Sequence, residues 1–224
     1  MSEQNNPFLR ITAKMGRGLY YLFMRIAFRP KVYYEDPSTK EYMKNHPVIL
    51  VSNHTNHNDG QVVAMLFRGS MLLIARDWYE KKIMQWITYG GDFLSVDRFG
   101  LDTSWLRDAT AAMKRNKHVI IFPEGHTSKD GNMDTFKGGF VMLGVMTNAP
   151  VVPIYADGEY HVLFGKRARY YVGKPVELTP EGKGLTAAYL TSEGERFRNI
   201  ISQIKQRAHK DITDNTLGTS QSSN

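Results

Sequence analysis

Two side chains in one short polar stretch have the types and the spacing for proton transfer. They are His54 and Asp59, within Ser52-Asn53-His54-Thr55-Asn56-His57-Asn58-Asp59-Gly60. A neutral imidazole titrates near neutrality and can accept a proton from a hydroxyl. A carboxylate bonded to its other ring nitrogen fixes the tautomer and stabilises the imidazolium that forms. Five positions apart, the two would lie about 140° from each other on one continuous helix, so a loop must fold them together. The chain has no cysteine and no Gly-x-Ser-x-Gly elbow, which gives a covalent Ser or Cys intermediate little support. The hydroxyl to be activated would then be the substrate's. Two other readings stay open on these residues alone. They are ordinary loop and cap residues, or His54, His57 and Asp59 hold a metal, although that spacing is not a usual zinc signature.

The flanking pattern supplies the positioning. Pro47-Val48-Ile49-Leu50-Val51 is an apolar run that reads as a buried strand. Gln61 to Arg68 has helical spacing, and Asp59 stands where a side-chain oxygen can cap its start. Further strands are expected at Val32 to Tyr34, Met71 to Ala75, Phe93 to Val96, His118 to Phe122, Pro150 to Tyr155 and Ala168 to Val172. Helices are expected at Tyr79 to Ile87, 102–115, Gly138 to Met146 and Ala187 to Ala208, with a turn at Asp36-Pro37-Ser38. Strands alternating with helices predict a single-domain α/β sandwich with a central, mainly parallel (mixed) sheet. Residues 31–210 would form that domain and 211–224, rich in Ser, Thr, Asn and Gln, a disordered tail.

Residues 8–28 read as an amphipathic helix ahead of the domain, in a segment spanning 1–30. Phe8, Ile11, Met15, Leu19, Leu22, Phe23 and Ile26 fall on one side, and Arg10, Lys14, Arg17 and Arg25 on the other. The apolar run is interrupted and too short to span a bilayer, and it lacks the pattern of a secretory signal. A basic helix of this kind can lie in a membrane interface against anionic lipid; the alternative is a helix packed on the domain with its basic side in water. Residues 1–33 carry a charge of +5 of the net +7, so the rest is nearly balanced. That argues for a local anionic partner such as a membrane surface and against nucleic acid. The absence of cysteine fits a reducing compartment, so the expected location is peripheral, on the cytoplasmic side of a membrane.

Two more strands end in polar groups. Arg98 follows the strand at 93–96, and Pro123-Glu124-Gly125 follows that at 118–122. In a mainly parallel sheet these ends gather on the edge that carries His54. Arg98 could grip a phosphate with paired N–H donors, or pair with Asp92 or Asp97 on the surface. Glu124 could accept from a substrate hydroxyl or hold that arginine, and Gly125 would let the backbone approach a ligand. The same three residues also fit a plain turn.

In order and spacing, Asn53-His54-x4-Asp59, Phe93 to Arg98, Phe122-Pro123-Glu124-Gly125 and Val151-Val152-Pro153-Ile154 resemble the four blocks of the glycerolipid acyltransferases of the PlsC/lysophosphatidate acyltransferase type. The resemblance spans roughly residues 45–175. It implies His54 as base with Asp59 as its orienter, and Arg98 and Glu124 on the acceptor side. It implies a lysophospholipid acceptor, first 1-acyl-glycerol-3-phosphate, at a membrane surface. The donor would be acyl-CoA or acyl carrier protein, a co-substrate rather than a cofactor, and no metal is implied. The chain departs from the family after Gly125. Many members continue Thr-Arg-Ser where His126-Thr127-Ser128 stands here, so Lys129 or Lys137 would have to supply the charge, and another polar-lipid hydroxyl stays open as acceptor. The rival readings are a catalytically silent lipid-binding protein on the same fold and a hydrolase that passes the acyl group to water.

Overall fold

The computed structural model describes residues 7–80, 92–97, 103–128, 130–158, 160–161, 163, 165–180 and 184–221. The elements in chain order are α1 (Pro7–Phe28), β1 (Lys31–Tyr34), α2 (Pro37–Asn45), β2 (Ile49–Ser52), α3 (Asp59–Leu66), β3 (Met71–Ala75) and α4 (Arg76–Tyr79). There follow β4 (Phe93–Val96), α5 (Ser104–Met113), β5 (Val119–Ile121), α6 (Gly139–Thr147), β6 (Val151–Asp157), β7 (Arg169–Val172) and α7 (Ala187–Gln221).

All seven strands join one sheet in the order β1-β7-β6-β2-β5-β3-β4. The block β6-β2-β5-β3-β4 is parallel throughout. β7 runs antiparallel to β6, and β1 lies parallel to β7, so the sheet is mixed with a parallel centre. From β2 the chain passes over the place of β5 to reach β3 and β4, then returns to fill that place and continues to β6 on the far side. The strand order therefore reverses between β2 and β5. In open α/β sheets the crevice outside the strand C-termini at such a point is where ligands bind.

Every residue of β2 is buried, as expected for a central strand covered on both faces. Leu50 packs with Val62 and Val63 of α3 and Met24 and Ala27 of α1. Ile49 and Val51 point the other way, to Leu106 of α5, Phe140 of α6 and Phe197 of α7. Helices α1 to α3 thus cover one face and α5 to α7 the other.

Three local readings change. Asp36-Pro37-Ser38 is the start of a helix, not a free turn: Asp36 caps α2 by accepting from Ser38 N–H at 2.9 Å, with Pro37 in the first turn. Its apolar signal is faint because only Thr39 and Met43 are buried. Asp59 does not cap α3. Asn58 holds that position without a side-chain bond, and the Asp59 carboxylate turns back toward the loop before it. The last helix continues to Gln221, through most of the stretch read as a tail. The expected helix up to Ile87, apart from Tyr79 and Glu80, and the candidate Arg98 lie outside the described residues.

Candidate active site

The loop after β2 is held at three points before any chemistry is considered. Asn53, 1% exposed, exchanges two hydrogen bonds with Ala156 of β6, its Oδ1 accepting at 2.7 Å and its Nδ2 donating at 3.0 Å. The His54 N–H donates to Glu124 Oε1 at 2.8 Å, and the His54 carbonyl accepts from Ser128 N–H at 2.7 Å. The loop after β2 is therefore tied to the loop after β5 and to the end of β6 through bonds that use backbone groups. His54 is left with only its imidazole free to act.

That imidazole stands between a carboxylate and a hydroxyl. Its Nδ1 lies 3.4 Å from Asp59 Oδ2. The same oxygen accepts from Thr55 N–H at 2.9 Å and Asn56 N–H at 2.8 Å, which is how the loop brings residues five positions apart into contact. Asp59 is fully buried, and its other oxygen accepts from the hydroxyls of Tyr160 at 2.8 Å and Tyr170 at 3.2 Å. With Nδ1–H directed at a carboxylate, Nε2 carries the lone pair. The hydroxyl of Thr127 lies 3.3 Å from His54 Nε2 and 3.3 Å from His57 Nδ1. Phe122 packs on the imidazole with ring centroids 4.5 Å apart.

Nε2 faces a cavity of about 450 Å³ at the predicted crevice. Its polar rim includes His57, Gln61, Thr127 and Lys137; its walls include Leu72, Ile74, Phe93, Phe122 and Phe140. Tyr20 and Tyr21 of α1 also line it, so the first helix borders the cavity. Such a mostly apolar cleft with a few convergent polar groups suits a ligand with a long apolar part.

The remaining predicted residues divide. Gly125 and Lys137 line the cavity with His54. Gly125 has φ +73°, and a Cβ there would lie 3.2 Å from Lys137 Nζ, so glycine is needed both for the turn and for the lysine's approach. Glu124 turns inward instead. It is 2% exposed, and its second oxygen accepts from Asp134 N–H at 3.0 Å. Burial pushes its carboxyl up, and the two backbone N–H donors pull it back. Both oxygens are spent on loops, which makes Glu124 a clamp between strand ends. Among the described residues no group of three or more His, Cys, Asp or Glu side chains is placed to hold a metal. Sequence reasoning missed Tyr160, Tyr170 and Thr127. Tyr170 falls inside the strand expected at Ala168 to Val172, Tyr160 carries no local signal, and Thr127 appears only as the residue standing where many members carry arginine.

Among the described residues, the outer face of α1 gathers half of the exposed large apolar side chains. Ile11, Met15, Leu19, Leu22, Phe23 and Ile26 are 53–68% exposed, whereas Ala13, Met24, Ala27 and Phe28 pack inward. At about 100° per residue the six form one stripe, with exposed Lys14 and Arg25 along its border. Arg17 is half-buried, toward the body. Among the described residues no helix is long and apolar enough to cross a membrane.

A model of the family described as Acyltransferase matches residues 32–157, more than half of the chain. The chain belongs to the acyltransferase family. Relatives within it include a 1-acyl-sn-glycerol-3-phosphate acyltransferase of Cocos nucifera, 28% identical over 52% of this chain and 39% of that protein. One of Limnanthes douglasii is 28% identical over 58% and 47%. The alpha form from Homo sapiens is 24% identical over 83% of this chain and 68% of that protein. The first two matches thus span less than half of the plant proteins. The crystal structure of the 1-acyl-sn-glycerophosphate (LPA) acyltransferase PlsC from Thermotoga maritima shares the fold, with a TM-score of 0.56, 22% identity, and coverage of 88% of this chain and 78% of that one.

Proposed function

We propose that this acyltransferase-family protein moves a fatty acyl group from a thioester donor, acyl-CoA or acyl carrier protein, to the free hydroxyl of a lysophospholipid. Its first-choice acceptor is 1-acyl-glycerol-3-phosphate, the product then being phosphatidate. The observation that carries this reading is a hydroxyl, that of Thr127, 3.3 Å from the Nε2 of an imidazole whose Nδ1 is backed by a buried carboxylate. An acceptor hydroxyl in that place would pass its proton to His54 Nε2 as its oxygen attacks the thioester carbonyl. The tetrahedral intermediate then collapses with loss of the C–S bond. The imidazolium, steadied by Asp59, returns the proton to the leaving thiol. The apolar cavity walls suit the acyl chain. Lys137 is a cation at the rim for an acceptor phosphate, with Arg98 as a second candidate from the sequence.

The stripe on α1 supports attachment to an anionic membrane surface, from which an amphipathic acceptor would be drawn. Six apolar side chains would enter the acyl boundary while Lys14 and Arg25 meet head groups. A second acceptor class is favoured by one observation: Thr127 stands where many members carry arginine, which suits a polar-lipid hydroxyl without a phosphate monoester. The test is acylation by the purified protein, offering radiolabelled acyl-CoA and acyl carrier protein against a panel of lysolipids. Lipid product that disappears with His54→Ala supports the reading. Release of free fatty acid alone would make the protein a hydrolase, and no turnover with either donor would leave a lipid-binding role.

A further inference from the structure

We infer that Tyr160 and Tyr170 are positioning residues of this site: their hydroxyls hold the Asp59 carboxylate in place and temper its pull on the His54 imidazole. The inference rests on the proposed role of His54 as base. Three observations carry it. Both hydroxyls meet the same oxygen, Asp59 Oδ1, at 2.8 and 3.2 Å, while Oδ2 serves Thr55, Asn56 and His54. Both rings are buried, 2% and 0% exposed, and Phe28 of α1 packs edge-on against Tyr160 with centroids 5.3 Å apart. And the two come from a part of the chain, past residue 157, that the family match does not reach.

The chemistry follows from what a phenol can do there. Burial, and after it the negative charge of Asp59, pushes both phenols well above their ordinary range. They stay protonated at any assay pH, so toward the carboxylate they act as donors. Two O–H dipoles aimed at Oδ1 draw charge away from the oxygen that faces the imidazole. A carboxylate so loaded orients His54 without overstabilising its protonated form, and a base must be unprotonated to start the reaction. The other groups that act on His54 are Glu124, bound to its backbone N–H, and His57, across Thr127. His126 and Lys137 line the same cavity.

The test is the pH profile of kcat/KM for Tyr160→Phe, Tyr170→Phe and the double variant, beside site-specific 3-fluorotyrosine at each position. Removal of a hydroxyl should move the acid limb to higher pH and lower kcat about tenfold, with both KM values within about twofold. Fluorination makes the phenol a stronger donor without changing its packing, so it should move the limb the opposite way. The His54 Nδ1 proton, read downfield by NMR, should shift in opposite directions for the two kinds of change. That signal needs no turnover, so it stands apart from the proposed activity; failure of the base role would appear as full acylation by His54→Ala, and failure of the activity as no lipid product from the parent protein. If a phenylalanine variant fails to fold, the fluorotyrosine pair decides. Unchanged profiles and an unmoved Nδ1 proton in fluorotyrosine protein would overturn the inference, leaving two core aromatics.

Discussion

The edge around His54 and the outer face of α1 are built on opposite principles. At the edge, polar atoms are bound: Asn53, Glu124 and Asp59 are nearly or fully buried, and every carboxylate oxygen among them accepts a hydrogen bond. On α1, six large apolar side chains stand more than half exposed. Buried polar groups left unpaired cost more than they return, so the first region is rigid by necessity. Exposed apolar surface of that extent is the kind that docks, and on the proposed function the second region would be completed by a membrane. On the proposed function, rigidity would serve proton transfer, and an open apolar face the capture of an amphipathic substrate. Tyr20 and Tyr21 join the two regions, since they lie on α1 and line the cavity.

The strongest break of the comparison is His54→Ala. It should remove acyl transfer by about 10²–10⁴-fold while the thermal melt stays near that of the parent protein. Asp59→Asn should lose much of that activity too, because an amide cannot satisfy the five donors on the carboxylate. Near-normal turnover in His54→Ala would end the assignment of a base.

Next comes the open face. Leu19→Glu with Phe23→Glu should weaken partition to anionic vesicles by about 10²–10⁴-fold, since each buried side chain of this size contributes about 1.5–3 kcal/mol. Co-sedimentation measures it, and activity on micellar substrate should persist. Lys14→Gln with Arg25→Gln should cost less, on the order of 1 kcal/mol per residue, and the remaining binding should lose its salt dependence. Equal sedimentation of all variants would make the stripe an ordinary surface.

Glu124→Gln sharpens the distinction between clamp and ligand. The amide nitrogen would face a backbone N–H in place of one acceptor. Stability in urea should fall by about 1–3 kcal/mol, with the loss in stability exceeding any change in acceptor KM. A raised KM in a protein of parental stability would return Glu124 to the acceptor.

The smallest effect lies outside both regions. His118 accepts the Val48 N–H on Nδ1 at 3.2 Å, and burial lowers its pKa below the ordinary value. A lowered value means that the neutral ring is the folded form. Its contribution is fully present above about pH 6.5 and fades as pH falls toward the folded value. Urea midpoints taken downward from neutral pH should decline in the parent and decline less in His118→Gln.

Much of this was legible in the chain because the signals were local. Ile49 to Val51 is an unbroken apolar run, and a fully buried parallel strand needs one. The pair His54 and Asp59 could be read because one loop holds both. Residue spacing also separated the two sides of α1, though it could not say that the apolar side would face outward. What escaped was either faint or distant. α2 buries only Thr39 and Met43, too few to show a period. Tyr160 and Tyr170 meet Asp59 across 101 and 111 positions, and nothing local distinguishes a tyrosine that donates to a carboxylate from one that fills a core. Glu124 was legible as a functional type, but its partners are backbone groups, which leave no mark in the sequence.

Those long separations also set a timetable. While the chain is being made, β2, β5 and β6 can pair once residue 157 has emerged, and the imidazole can then lie beside its carboxylate. The far oxygen of that carboxylate still waits for residues 160 and 170, and the strand that carries Tyr170 runs against its neighbour β6. Contacts across such distances close late in folding. On the proposed role of His54, the fully buttressed base would therefore arrive with the last strand of the sheet. On the proposed function, a half-made chain would carry its greasy first helix before its finished base, and would meet a membrane before it could act on one.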